Sequence, residues 1–151
     1  MVNRFIKILR DMSINEFLIM LSIKPEYSKK IFSMEKTIEL RKRLPKYLSK
    51  YVLVYESSPT KKIVGVFEIK RVIIKSINGL RQYSKKAKVT RTFISSYYKG
   101  KNKGIAFEIR KVFEFEQKIP LEILRSDNLN PPQDFRYVNK GQITSILEGW
   151  K

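Results

Sequence analysis

The chain has 151 residues, 42% of them hydrophobic and 12% aromatic, which suits one domain with a single real core. Its 32 Lys and Arg against 14 Asp and Glu give a formal net charge of +18; a polyanion relieves self-repulsion of that size, so nucleic acid is the expected partner class, ahead of an acidic membrane surface, an acidic protein or a host-wide Lys-rich composition. With no Cys and no His, disulfide frameworks, thiolate nucleophiles, the usual zinc sites and His-based triads are excluded, and no cofactor or metal is expected.

Residues 1–12 place Phe5, Ile8, Leu9 and Met12 at helical spacing with Arg4, Lys7 and Arg10 between them. Ser13 and Glu16 have capping-box spacing, so either a second short helix begins there or Phe17 to Ile23 is a buried strand; a strand from about Leu18 is preferred. Met20 is a second candidate start. Residues 1–19 therefore read as an N-terminal extension of helical character and residues 20–151 as the domain. The longest apolar run, Phe17 to Leu21, is too short to cross a bilayer, and Arg4, Lys7, Arg10 and Asp11 interrupt any signal-peptide pattern. A cytoplasmic protein without a membrane partner is expected.

Pro25 to Ser33 predicts a short helix with Tyr27, Ile31 and Phe32 on its apolar face. Lys36 to Arg43 alternates as a strand does, with Lys36, Ile38, Leu40 and Lys42 on one face and Thr37, Glu39, Arg41 and Arg43 on the other. Tyr51 to Tyr55 and Ile63 to Ile74 are β-prone, and Gly65 inside the second run marks a bulge or a close backbone approach. Arg81 to Arg91 holds few apolar residues and reads as a loop or an exposed helix. Thr90 caps a helix carrying Phe93, Ile94, Tyr97 and Tyr98, closed by Gly100, with at least one of the two tyrosines in the core. Ile105 to Phe115 is a further strand, Pro120 to Leu124 a helical turn, Asn130 to Pro132 irregular, and Ile143 to Leu147 a closing helix or strand. The expected fold is α+β, with five or six strands in a curled, barrel-like sheet and two or three short helices over its openings.

Leu21-Ser22-Ile23-Lys24-Pro25-Glu26-Tyr27, followed by Glu35-Lys36-Thr37-Ile38-Glu39-Leu40-Arg41, resembles the opening of ASCH domains of the PUA-like superfamily. Tyr55 to Pro59 with Ile63 to Phe67, Tyr97 to Gly100 with Gly104 to Ile109, and Pro131 to Tyr137 resemble later signatures in the same order, so the resemblance covers roughly residues 20–147. It implies a small β-barrel with flanking helices and a cleft between them. It also implies RNA binding, RNA metabolism or transcriptional coregulation, or hydrolysis of RNA or of an acetylated nucleoside. Many members carry Gly where this chain has Met34. Members resembling acetylcytidine amidohydrolases have a Lys matching Lys36 but a Thr at the position of Glu39.

Lys36, Glu39 and Arg41 form the leading constellation: a carboxylate between two cations receives a base amino group while Lys36 or Arg41 meets a phosphate. If the chain is an enzyme, Lys36 and Glu39 are its proton-transfer pair. The competing reading is a surface ion pair. Ser57 and Ser58 offer hydroxyls to a phosphate or ribose. Lys24, Arg43, Lys85, Lys86 and Arg91 are candidate phosphate contacts, Tyr97 a base-stacking face, and Arg136, between the anchors Phe135 and Tyr137, a ligand contact. Glu108, Glu114 and Glu116 share a strand face if the register is unbroken, where a solvated face is preferred over a metal site. RNA is the preferred partner over DNA. The alternatives are a metal-independent hydrolase of RNA or a modified nucleoside, and a DNA-associated regulator using residues 1–19.

Overall fold

The two longest β-prone stretches of the chain pair with each other inside its sheet. The computed structural model describes residues 2–13 and 16–150. In chain order the elements are α1 (Val2–Asp11), β1 (Phe17–Ile23), α2 (Pro25–Phe32), β2 (Ile38–Arg41), β3 (Tyr51–Glu56), β4 (Lys62–Ser76), α3 (Ile77–Arg81), α4 (Ser84–Ala87), α5 (Arg91–Tyr97), β5 (Lys103–Pro120), α6 (Leu121–Ser126), β6 (Phe135–Asn139) and α7 (Lys140–Gly149). β4 and β5 pair antiparallel over nearly their whole length, and the six strands lie in the order β2-β5-β4-β3-β1-β6. β1 runs parallel to β3; the other neighbours are antiparallel. The sheet is curled but not closed: among the described residues no ladder joins its edges β2 and β6.

Alternation along the strands sorts the core. Leu18 and Met20 of β1 face α1, α6 and α7 together with Tyr51, Phe113 and Phe115, whereas Ile19, Leu21 and Ile23 face inward with Val52, Phe67, Ile105 and Phe107. A third cluster puts Ile38 and Leu40 of β2 against Leu80, Ala87, Ile94 and Tyr98 of the helical segment between β4 and β5.

Gly65 is where the backbone comes closest. A Cβ there would stand 2.4 Å from the Phe113 carbonyl oxygen and 2.6 Å from the Phe32 ring, and the β3–β4 register shifts opposite it, beside Val54. Met34, in the turn after α2, holds a left-handed φ of 62°.

Several expectations change. The strand expected over Lys36 to Arg43 is confined to Ile38–Arg41, because the Thr37 amide donates to the Lys86 carbonyl rather than to a strand partner. Seven short helices, not two or three, are found among the described residues, and Arg81 to Arg91 folds into parts of three of them. A few buried side chains hold these turns, chiefly Leu80, Ala87 and Ile94. The helix considered at Ser13 falls partly on residues 14 and 15, outside those described; the Ser13 amide donates to Glu16 Oε1 at 3.1 Å and β1 begins at Phe17. β1 thus starts inside the span read as an extension, and α1 buries Phe5 and Leu9 completely in the core. No helix among the described residues is long and apolar enough to cross a membrane.

Candidate functional site

β2 is four residues long, yet it sets the site. Its register puts Glu39 opposite Phe107 and Arg41 opposite Ile105. The alternation that sends Ile38 and Leu40 under the helices therefore sends Glu39 and Arg41 into the mouth of the curl. Lys36 enters from just before the strand. All three are buried, at 3%, 6% and 8% exposure for Lys36, Glu39 and Arg41.

Their charges are matched by specific partners. Lys36 Nζ donates to the Ala87 carbonyl at 2.7 Å, lies 3.5 Å from Glu39 Oε1 and stands 5.3 Å from the centroid of the Tyr27 ring. Arg41 Nε donates to Glu39 Oε2 at 3.1 Å, one terminal nitrogen to the Ser22 carbonyl at 2.9 Å and the other to Asp134 Oδ1 at 3.3 Å. The Tyr98 hydroxyl fixes the end of β2 by sharing its one proton between the Arg41 and Ile105 carbonyls, each at 3.0 Å.

Above this floor is a cleft of about 330 Å³, with Lys24 and Tyr27 on one wall and Phe93 and Tyr97 on the other. Phe93 and Tyr97, four residues apart on α5, stack at 5.9 Å with an interplanar angle of 11°. Burial pushes the Lys36 pKa down, against the pull of the adjacent Glu39 carboxylate, and Arg41 and Lys30 add to the depression. Burial raises the pKa values of Tyr27, Tyr97 and Tyr98, keeping the phenols in their neutral, hydrogen-bonding form.

The other candidate residues distribute unevenly. Lys24 lines the cleft and is exposed. Lys85 and Lys86 are exposed on α4, which also supplies the carbonyl that holds Lys36, and Arg91 is exposed at the start of α5. Arg43 is exposed with its guanidinium 5.6 Å from the Phe135 ring centroid. Ser57 sits behind the wall, its amide donating to the Ile23 carbonyl at 2.9 Å, and Ser58 is exposed in the following turn.

Arg136 lies outside the cleft. Its guanidinium donates to the Asn130 carbonyl at 2.9 Å and borders a separate groove with Phe17 and Tyr47. Glu108 pairs with Arg71 at 2.9 Å and Glu114 with Lys118 at 3.8 Å, and the β4–β5 register shifts beside Glu68 and Ile69. Sequence reasoning missed Tyr27, Phe93 and Asp134 as parts of the site. The i, i+4 spacing of Phe93 and Tyr97 was the readable signal for one of them.

The ASCH domain family model matches residues 21–119. An ASCH domain-containing ribonuclease of Zymomonas mobilis is 28% identical over 131 residues, covering 84% of this chain and 88% of that protein. The large ribosomal subunit protein uL22 of Ureaplasma parvum serovar 3 is 32% identical over 122 residues, or 80% of this chain, which spans 39% of that protein's length. The crystal structure of ASCH from Zymomonas mobilis has a TM-score of 0.80 at 27% identity, covering 87% of this chain and 94% of that one. A single-substitution mutant of the same Zymomonas protein gives 0.81 at 26%, covering 89% and 96%. With its fold, motif order and family match in agreement, the chain belongs to the ASCH domain family of the PUA-like superfamily.

Proposed function

We propose that this ASCH domain binds RNA, seating one nucleoside in the cleft above Lys36, Glu39 and Arg41 while exposed cations at its mouth take the flanking phosphates. The buried Lys36–Glu39–Arg41 chain of charges carries this reading. Three charges held out of water are costly to a fold, and an apolar floor would serve stability as well or better. A floor of this kind offers a base what an apolar one cannot: a carboxylate for an amino group and donors for carbonyl oxygens, between aromatic faces. Lys24 lines the cleft, Lys85, Lys86 and Arg91 are exposed on α4 and at the start of α5, and the net charge of +18 supplies the long-range attraction. RNA is preferred because the Zymomonas relative is a ribonuclease by name and the Ureaplasma relative a ribosomal protein.

Fluorescence anisotropy with single-stranded RNA and DNA of one sequence, across a salt series, tests it. Log affinity should fall linearly with log salt, RNA should bind more tightly than DNA, and Lys36→Ala or Tyr97→Ala should weaken binding about tenfold. A flat salt response, or variants that bind as wild type, would overturn it.

A second reading, metal-independent RNA cleavage, is favoured by one further observation: Lys36 and Glu39 form an acid–base pair at 3.5 Å, and burial makes the Lys36 ammonium the more ready proton donor. The Glu39 carboxylate takes the proton of a ribose 2′-hydroxyl as that oxygen attacks the adjacent phosphorus. Lys36 protonates the departing 5′-oxygen, and Arg41 offsets the charge on the phosphoryl oxygens. The products are a 2′,3′-cyclic phosphate and a free 5′-hydroxyl. Labelled RNA incubated with a chelator should be cut by wild type and be cut more than a hundredfold more slowly by Lys36→Met and Glu39→Gln. No turnover by wild type leaves binding as the function.

A further inference from the structure

The loop over residues 42–50, between β2 and β3, carries Lys42, Arg43, Lys46 and Lys50 and no acidic residue. Pro45 and Ser49 are buried and hold it down, while the other seven residues are exposed. Every cation of the loop stands over an aromatic ring. Lys42 Nζ is 4.7 Å from the Tyr97 centroid, the Arg43 guanidinium 5.6 Å from Phe135, Lys46 Nζ 5.4 Å from Tyr47 and Lys50 Nζ 5.6 Å from Tyr51.

Its first ring, Tyr97, is a wall of the cleft. Further along, Tyr47 borders a second groove, of about 580 Å³, with Phe17, Arg136 and Tyr137. Tyr47 is 54% exposed, yet its position is fixed. Its amide donates to the Tyr137 hydroxyl at 2.9 Å, and its ring lies 6.0 Å from Tyr137 and 6.2 Å from Phe17. Leu44 and Leu48 flank it, also exposed.

We propose that this loop is a track for single-stranded RNA: a strand with one nucleoside in the cleft continues along residues 42–50, its phosphates meeting Lys42, Arg43 and Lys46 and a later base stacking on Tyr47 beside Arg136. This rests on the reading that the cleft holds a nucleoside. Alternating cations and rings are what a flexible strand needs, since phosphates and bases alternate along it and every base has a face to stack. Lys46, whose ammonium rests on the exposed Tyr47 ring, is weakly held there and can leave the ring to meet a phosphate. A base must be unpaired and splayed out to stack on the Tyr47 ring, so the track favours single strands over duplex.

Anisotropy with a dinucleotide, a single-stranded RNA decamer and a duplex of the same length tests the track. Tyr47→Ala should weaken the decamer about tenfold and leave the dinucleotide and the duplex within twofold. Tyr47→Phe should match wild type, and Tyr47→Leu, which keeps the apolar contact with Phe17 but has no ring to stack on, should behave as the Ala variant. Wild-type decamer affinity in Tyr47→Leu, or equal loss for duplex and single strand, would overturn the track. Tyr97→Ala separates the two readings. If it weakens the dinucleotide while the decamer ignores Tyr47, the cleft stands and the track falls; if it changes nothing while the Tyr47 dependence persists, the cleft reading falls and the loop stands as a binding surface.

Discussion

Arg41 of β2 reaches Asp134, just ahead of β6, at 3.3 Å, so a side chain spans the gap between the two edges of the sheet, which no backbone ladder closes among the described residues. The same guanidinium grips the Ser22 carbonyl of β1 at 2.9 Å and Glu39 at 3.1 Å. The seam of the curl and the floor of the cleft are therefore one set of contacts.

Arg41→Ala should destabilise the fold by about 3–5 kcal/mol, because it leaves the Glu39 carboxylate buried with half its counter-charge and frees the seam. Asp134→Asn should cost less than about 1 kcal/mol, since Asp134 is one-third exposed and water screens its pair with Arg41. Urea denaturation of both variants measures the contrast, and similar losses would contradict it.

Lys36 makes stability depend on pH in a direction that follows from its lowered pKa. Between the depressed folded value and the unfolded 10.5 the unfolded chain binds more protons, so stability rises with pH across that window and is lost as pH falls through the folded pKa. Tyr97 and Tyr98, whose pKa values are raised, act oppositely at high pH, contributing stability that is lost as pH rises through their folded values. Lys36→Met leaves those phenols in place, so the stability difference between wild type and Lys36→Met should rise with pH and flatten above about pH 10.5. Thermal or urea unfolding in parallel buffers reads it.

How far the sequence carried depends on where each signal lived. β3, β4 and β5 were legible because β-branched runs bounded by turn residues specify strands locally, and the α5 cap was legible because Thr90 Oγ1 does accept from the Phe93 amide, at 2.9 Å. Alternation also put Glu39 and Arg41 on one face. α3 and α4 were only partly legible: Arg81 to Arg91 reads equally as a loop or an exposed helix, and only the packing of Leu80 and Ala87 decides for helical turns. Ser22 and Asp134, which complete the Arg41 contacts, lie 19 and 93 residues away in sequence, and a tertiary contact leaves no local trace. The face assumed for Glu108 and Glu114 depended on an unbroken register, which the shifts opposite β5 remove.

Tyr98 and Tyr97 are neighbours with different duties. Tyr98→Phe should cost about 1–3 kcal/mol, because the one hydroxyl proton that the buried Arg41 and Ile105 carbonyls share is lost. Tyr97→Phe should cost about 0.5 kcal/mol or less, since its bond to the Leu40 carbonyl is long, at 3.5 Å, and the stacking face survives. RNA affinity provides the second readout: if the cleft seats a nucleoside, Tyr97→Phe retains it while Tyr97→Ala does not.

The first helix can be tested as part of the domain rather than as an appendage to it. Phe5 has no exposed surface, and its ring lies 5.9 Å from Tyr51 and 6.1 Å from both Phe113 and Phe115. Truncating a phenylalanine so enclosed leaves a cavity among three rings that belong to β3 and β5, so Phe5→Ala should cost about 3–5 kcal/mol. An appendage would show no such loss. Because α1 covers the face that carries Leu18 and Met20, away from the cleft, RNA affinity per folded molecule should be unchanged in Phe5→Ala, even as the urea midpoint falls.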